Sequence, residues 1–130
     1  MRWKLDDNTP LYLQIAERIK LGVVSGAYAP GSRIDSVRDL AEQSGVNPNT
    51  MQRALSKLED EGLILTNRTA GKYVTEETQM IDKIKQELAT QYIRNFLESM
   101  KQTGFSEEEI LTLLKSEVSK GDNADVYNGM

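Results

Sequence analysis

The chain has 130 residues, a length that suits one domain with a small appendage. It lacks cysteine and histidine, which excludes disulfides and the usual metal ligands, general bases and nucleophiles, so we expect no enzymatic activity, metal or cofactor. The net charge of −4 counts against a nucleic-acid partner, because affinity for nucleic acid comes largely from neutralised phosphates. Residues 1–78 carry ten Lys and Arg against eleven Asp and Glu, whereas residues 79–130 carry six against nine, so most of the negative charge lies in the C-terminal part.

The N-terminal segment lacks the apolar core of a signal peptide, and no apolar run approaches the roughly 18 residues of a membrane span. We therefore expect a cytoplasmic protein without a membrane partner.

A helix is predicted to begin with Thr9 as N-cap and Pro10 as first residue, and to end at about Ser25 before Gly26. Its packed face is marked by apolar residues at four-residue steps, namely Leu11, Ile15, Ile19 and Val23. Trp3 is predicted to pack on the core as an anchor or on a partner subunit, and the alternative is a role in ligand stacking.

Two short helices joined by a tight turn are predicted between Ser36 and Leu58. The first runs from about Val37 to Ser44, with Ser36 as N-cap and Asp39 in the position of a capping box. Gly45 ends it, because a left-handed residue is needed there. This arrangement is typical of the first half of a helix-turn-helix, which we place at about residues 37–56.

The second of these helices has Asn47 as N-cap and Pro48 as first residue. Its buried face is predicted from the spacing of Met51, Ala54, Leu55 and Leu58. The last turn is acidic, from Glu59 to Glu61, which opposes the helix dipole and makes this end unfavourable near phosphate. The N-terminal end, with Asn47, Asn49 and Thr50, is the better candidate for contact with DNA.

Two short strands are predicted after Gly62, at residues 63–66 and 72–75, with a turn at residues 67–71. A basic hairpin directly after a helix-turn-helix has the position of the wing in a winged-helix domain. We therefore predict a wing at about residues 63–75. The alternative is an ordinary exposed hairpin.

The C-terminal part reads as a long amphipathic helix from about Gln79 to Thr103, followed by Gly104 and a second helix that ends near Gly121. Ser106 and Glu109 form a capping-box pattern for the second helix. Such a hairpin exposes more apolar surface than it can cover, so it must dock on the first domain or pair with a second copy. We predict that residues 78–121 mediate dimerisation and that residues 122–130 form a mobile tail. The predicted dimerisation residues are Ile81, Ile84, Leu88, Tyr92, Ile93, Phe96, Leu97, Met100, Ile110 and Leu114.

The chain carries, in this order, the segments TPLYLQIAERIK, SGAYAPGSRI, SVRDLAEQSGVNPNTMQRALSKLEDEGLI and GKYV. Together they resemble the winged helix-turn-helix domain of the GntR family of bacterial transcription regulators, over about residues 9–74. The NPNT segment, with only two helices after the wing, resembles the YtrA subfamily. The fold class expected is mainly α with a small β-hairpin: a winged helix-turn-helix domain at residues 9–77, then a two-helix dimerisation hairpin.

The resemblance implies that Arg38 reaches the DNA, that the start of the second motif helix lies at the groove, and that Arg68 and Gly71 shape the wing. Two departures from the family pattern stand out. Ile34-Asp35 replaces the Leu-Pro of many relatives, and Thr69 and Ala70 stand in a wing where relatives commonly carry two glycines and an extra basic residue. The predicted DNA-binding residues are Arg33, Ser36, Arg38, Asn47, Asn49, Thr50, Gln52, Arg53, Arg68, Gly71 and Lys72.

Several of these residues have a structural alternative. Arg38 could pair with Asp35 or Glu42, and Arg53 could either contact phosphate or be solvated. Asn47 is an N-cap whatever else it does. Arg38, Asn49 and Gln52 are the candidates for contact with base edges.

The leading hypothesis is a homodimeric, sequence-specific regulator, a repressor that binds an inverted-repeat operator in double-stranded DNA. The subfamily resemblance implies control of a transporter operon, and the presence of a small-molecule effector is left open. The alternative is a winged-helix module that binds a protein without reading DNA sequence, which the negative net charge favours.

Overall fold

The computed structural model describes the backbone of residues 3–69 and 71–128, and side chains as far as Gly121. Two compact units are present, unit 1 at residues 1–86 and unit 2 at residues 87–130. The described elements are α1 Leu11–Val24, α2 Val37–Ser44, α3 Pro48–Asp60, β1 Ile64–Asn67, β2 Gly71–Val74, α4 Thr78–Gln102 and α5 Glu107–Asn128. This order confirms the predicted fold class, a mainly helical chain with a winged helix-turn-helix and two C-terminal helices.

Helix α1 begins one residue later than predicted. The carbonyl of Pro10 accepts the N–H groups of Leu13 and Gln14 at 3.1 and 3.3 Å, so Pro10 and not Thr9 is the N-cap. The reason is that the Gln14 side chain binds the Thr9 carbonyl at 2.8 Å, which ties Thr9 into the lead-in segment. The predicted face is also wrong at Leu11, which is 43% exposed, while Ala16 is buried.

Trp3 is partly buried against the core of unit 1, which confirms its prediction as an anchor. The guanidinium carbon of Arg18 lies 4.8 Å from the centre of the Trp3 ring, so the ring is held between the core and a charged side chain of α1.

Helices α2 and α3 are capped as predicted. The Ser36 hydroxyl accepts the N–H of Asp39 at 3.1 Å, which is one of the two bonds of the predicted capping box, and Gly45 ends α2 with φ of +76°. The Asn47 side chain accepts the N–H of Asn49 at 2.7 Å, and Pro48 opens α3. Both α1 and α2 pack on α3. The side of α3 that meets them is fully buried and consists of Met51, Ala54, Leu55 and Leu58.

Strands β1 and β2 pair antiparallel, with Leu65 opposite Tyr73 and Asn67 opposite Gly71. A third segment, residues 31–34, joins β2 on its other edge. Its bonds run from the Gly31 N–H to the Val74 carbonyl at 3.0 Å and from the Ile34 N–H to the Lys72 carbonyl at 3.0 Å. This pairing was not predicted, and it attaches Arg33 directly to the wing.

Helix α5 differs from its prediction at the C-terminal end. It continues to Asn128, although an end near Gly121 and a mobile tail at residues 122–130 were predicted. A glycine inside a helix costs only about 1 kcal/mol relative to alanine, so Gly121 weakens the helix without ending it. Residues 129 and 130 of the predicted tail lie outside the described residues. The start of α5 agrees with the prediction, because Ser106 and Glu109 exchange both bonds of a capping box at 3.0 and 3.2 Å.

Three of the predicted dimerisation residues are used inside the protomer. Ile81 belongs to the buried core of unit 1, and Ile84 packs partly against it. Ile110 of α5 is 1% exposed. The amphipathic pattern alone could not separate the side chains that are buried within one chain from those that remain on its surface.

Candidate nucleic-acid interface

One side of α3 is polar and exposed along its N-terminal half. Asn49, Gln52 and Arg53 are exposed, and Ser56 is half-buried one turn further on. These positions fall on one helical face because their spacing is three and four residues. The opposite face is the buried side of α3, so the domain holds the polar face outward on a rigid helix.

Arg38 lies in the first turn of α2 and is exposed. Among the described residues it forms no ion pair, and the Asp35 carboxylate accepts a hydrogen bond from the Gln43 amide at 2.8 Å instead. The structural alternative predicted for Arg38, a pair with Asp35 or Glu42, is therefore not observed. Its charge is available to an external acceptor.

Arg53 is neither simply solvated nor positioned by α3 alone. Its guanidinium carbon lies 3.8 Å from the centre of the Tyr12 ring on α1. A guanidinium stacked on a ring keeps its in-plane N–H groups available to other acceptors. No sequence signal identified this pair, because the two residues are 41 positions apart.

The charges of the wing are distributed differently from the prediction. The Lys72 ammonium forms an ion pair with Glu59 at the end of α3, and it also donates to the Thr66 hydroxyl at 3.1 Å. Its side chain is only 16% exposed, so its charge is largely compensated within the domain. This arrangement favours a structural role for Lys72 over the predicted contact with DNA.

Arg33 lies against the wing beside Gly71. A Cβ atom at Gly71 would stand 3.5 Å from a guanidinium nitrogen of Arg33, and Gly71 has φ of +82°, a conformation that glycine adopts without strain. Arg68 is exposed in the hairpin turn. The wing therefore presents Arg33 and Arg68, with Arg33 supplied by the segment that precedes α2.

The acidic end of α3 is compensated by lysines. The Glu61 carboxylate lies 2.9 Å from the Lys20 ammonium and 3.2 Å from that of Lys57. Burial acts to raise the pKa of Glu61, but the hydrogen bonds and charges of Lys20 and Lys57 outweigh it and hold the pKa below its usual value. Glu61 thus links α1 to the end of α3, away from the polar face at its start.

The comparisons with known proteins agree with this geometry. The family model for bacterial regulatory proteins of the gntR family matches residues 11–74. YhcF of Bacillus subtilis, named as an uncharacterized HTH-type transcriptional regulator, is 35% identical over 113 residues, which cover 87% of this chain and 93% of YhcF. The chain belongs to the GntR family. It is a DNA-binding transcription regulator of this family by its helix-turn-helix, its wing and its relatives.

Two further GntR proteins confirm the resemblance. The HTH-type transcriptional repressor YtrA of Bacillus subtilis is 40% identical over 72 residues, which cover 55% of each chain. The solved structure of a GntR family transcriptional regulator from Listeria monocytogenes superposes with a TM-score of 0.81 at 38% identity, over 86% of this chain and 98% of that one. The predicted likeness to YtrA is confirmed. Within residues 3–69 and 71–128, no helix of this GntR protein has the length and apolarity to cross a bilayer.

The structure groups the predicted DNA-binding residues of this GntR protein into two sets. Arg38 and the exposed residues of α3 lie on the helix-turn-helix, and Ser36 and Asn47 serve there as caps. Arg33, Arg68 and Gly71 lie on the wing, while Lys72 is directed to Glu59. Their contact with DNA stays a prediction.

The Glu61 linkage predicts how the stability of this GntR domain depends on pH. Because the folded-state pKa of Glu61 is lowered, its ionised form stabilises the fold above the unfolded pKa, and this stability is lost as pH falls through the folded value. At pH 7 we expect Glu61→Gln to lower the free energy of unfolding by about 1 kcal/mol or less, since the pair is partly solvated. The difference between Glu61→Gln and wild type should shrink in urea denaturation below about pH 4. The exposed Glu98→Gln serves as control, and an equal effect of both variants would contradict the assignment.

Proposed function

We propose that this GntR protein is a homodimeric repressor that binds an inverted-repeat operator and places α3 of each protomer in the major groove. The observation that carries the proposal is the polar face of α3, which is exposed at Asn49, Gln52 and Arg53 while the opposite side is fully buried. The positive pole of the helix dipole lies at the same end, where it favours phosphate. Repression is proposed by analogy with YtrA, which is named as a repressor.

We assign phosphate contacts to the arginines of the wing, and base contacts to Arg38 and the polar face of α3. Arg33 and Arg68 on the wing would neutralise backbone phosphates. Asn49 and Gln52 would pair with adenine, and Arg38 with guanine, because the donor and acceptor patterns of these bases match those side chains. The cations assigned to DNA, Arg33, Arg38 and Arg68, are exposed and form no ion pair among the described residues.

The dimer is proposed to form through unit 2. An apolar groove of about 630 Å³ lies there, lined mainly by Tyr92, Ile93, Phe96, Leu97, Ile110, Leu111 and Leu114. Ile93 and Leu111 on its rim are more than half exposed. A second copy of the same surface would bury these residues and hold two α3 helices at a fixed separation. Such a dimer needs half-sites spaced by a whole number of helical turns of DNA.

The regulated genes are proposed to include a transporter operon, on the resemblance to the YtrA subfamily alone. A protein that acts on chromosomal DNA in this way works in the cytoplasm.

Salt dependence of duplex binding tests the proposal against a protein-interaction module. Each phosphate neutralised by Lys or Arg should contribute about 0.9 to the negative slope of log K against log salt concentration. Fluorescence anisotropy with labelled duplex DNA, at salt concentrations from about 50 to about 200 mM, measures this slope. A slope near zero, or no binding to duplex DNA, would leave only the protein-interaction module.

The wing offers a matched pair of variants for the same measurement. Arg68→Met should reduce the salt slope by about 0.9 for each phosphate that the arginine neutralises in wild type. Lys72→Met should leave the slope unchanged, because its charge is already compensated by Glu59, and should lower the thermal stability instead. The reverse outcome, a smaller slope for Lys72→Met and an unchanged slope for Arg68→Met, would assign the phosphate contact to Lys72.

A further inference from the structure

Tyr12 is joined to the polar face of α3 through one side chain. The centre of its ring lies 3.8 Å from the guanidinium carbon of Arg53, a distance typical of stacking. Tyr12 is partly buried and packs against the core of unit 1, so the ring itself is held in place. Arg53 is exposed, and its neighbours on the face, Asn49 and Gln52, have no such contact with another helix among the described interactions.

Stacking fixes the plane of the guanidinium. A free arginine must lose rotamer freedom when it binds a phosphate, whereas a stacked arginine has its planar fork oriented beforehand. The ring occupies one face of the guanidinium, and the N–H groups point outward in the plane, where a phosphate oxygen can accept them. Among the described residues no carboxylate forms an ion pair with Arg53, so its charge is available to such an acceptor.

The direction of the side chain favours phosphate over a base edge. The Arg53 side chain extends from α3 toward Tyr12 in the first turn of α1, so its guanidinium lies on the α1 side of α3. When such a helix lies in the major groove, its sides face the sugar–phosphate backbones and its outermost face meets the bases.

We propose that Tyr12 is a positioning residue for DNA binding, which holds Arg53 with its donors directed at the operator backbone. The inference rests on the proposed function, because it requires α3 to enter the major groove. It assigns to α1 a part in DNA recognition that its apolar packing face does not reveal.

The test uses full-length protein and four variants: Tyr12→Phe, Tyr12→Leu, Arg53→Ala and the double variant Tyr12→Leu/Arg53→Ala. Tyr12→Phe keeps the aromatic face and should bind within about twofold of wild type, whereas Tyr12→Leu should bind about three- to tenfold more weakly. In the Arg53→Ala background, Tyr12→Leu should have no further effect, because the partner through which it acts is gone. Affinities are measured by anisotropy with the duplex recovered by selection from random DNA and with a scrambled duplex of the same length.

The scrambled duplex separates a phosphate contact from a base contact. Removal of a phosphate contact should weaken binding to both duplexes by the same factor and leave base preference unchanged. Weaker binding to the selected duplex alone would overturn the assignment to phosphate.

Three results would overturn the role of Tyr12. They are wild-type affinity in Tyr12→Leu, equal weakening in Tyr12→Phe and Tyr12→Leu, and additive weakening in the double variant. Thermal unfolding accompanies each variant, and if Tyr12→Leu does not fold, Tyr12→Met replaces it with a flexible apolar side chain that has no π face. If wild type binds no duplex DNA, the proposed function fails and this inference with it; if wild type binds and the variants do not discriminate, only the role of Tyr12 fails.

Discussion

The Leu111→Glu variant is expected to be a monomer that binds the operator about 10²- to 10⁴-fold more weakly than wild type. Leu111 is 58% exposed on the rim of the apolar groove in unit 2, so a carboxylate there should not disturb the packing of the protomer itself. In a dimer the same carboxylate would be buried among apolar side chains, where an unpaired charge is costly. In the dimer, binding of the first α3 helix holds the second close to its half-site, which raises its effective concentration. A monomer lacks this gain, so its affinity for the operator falls.

Leu21→Glu provides the matched control. Leu21 lies on α1 in unit 1 and is 40% exposed. The substitution of leucine by glutamate is therefore the same, but it lies outside the apolar groove of unit 2. Sedimentation velocity should show a monomer for Leu111→Glu and a dimer for both Leu21→Glu and wild type. A dimer of Leu111→Glu with undiminished affinity would place the interface outside the groove.

Arg38→Ala is expected to weaken operator binding by about 1–3 kcal/mol and to relax the preference at one base pair of each half-site. The reason is that Arg38 is exposed in the first turn of α2 and no carboxylate among the described residues pairs with it. A bidentate contact of arginine with guanine discriminates against the other bases by a similar amount. Binding to a panel of duplexes with single substitutions in the half-site measures both effects.

Arg94→Ala controls for the removal of one positive charge. Arg94 is exposed on α4 in unit 2, whereas the helix-turn-helix belongs to unit 1. Its replacement should change the affinity little and leave the base preference unchanged. Arg38→Ala protein that binds as tightly and as selectively as wild type would remove Arg38 from the set of base-reading residues.

The features best predicted from the sequence depend on neighbours within about four residues. The caps at Ser36 and Asn47 and the left-handed glycine at Gly45 are of this kind, and all three lie where they were expected. Their hydrogen bonds join groups within about four positions of each other, so residue type alone determines them. The buried face of α3 was equally predictable, because it follows the helical period.

The features that escaped prediction depend on tertiary structure. The pairing of residues 31–34 with β2 joins segments about 40 positions apart, and so does the stacking of Arg53 on Tyr12. The redirection of Lys72 to Glu59 required the wing to lie against the end of α3. These contacts decide which cations are paired within the domain, and a pattern of neighbouring residues could not reveal them.

In the two C-terminal helices, glycine predicted one helix end correctly and one wrongly. Gly104 adopts φ of +92° after α4, as a helix end predicts, whereas α5 passes through Gly121. Gly104 lies just before the capping box of Ser106 and Glu109, which starts a new helix. Gly121 is followed by no comparable signal in the sequence, so the helical conformation persists at a modest cost.

Selection of bound duplexes from random DNA by the full-length protein tests most directly whether two α3 helices read DNA at a fixed spacing. The recovered sequences should share an inverted repeat whose two halves are separated by a whole number of helical turns, because each half-site receives one α3 helix of the dimer. Recovery of a single, non-repeated half-site would contradict the dimeric arrangement. Recovery of no shared sequence would contradict the assignment of α3 as a reader of DNA.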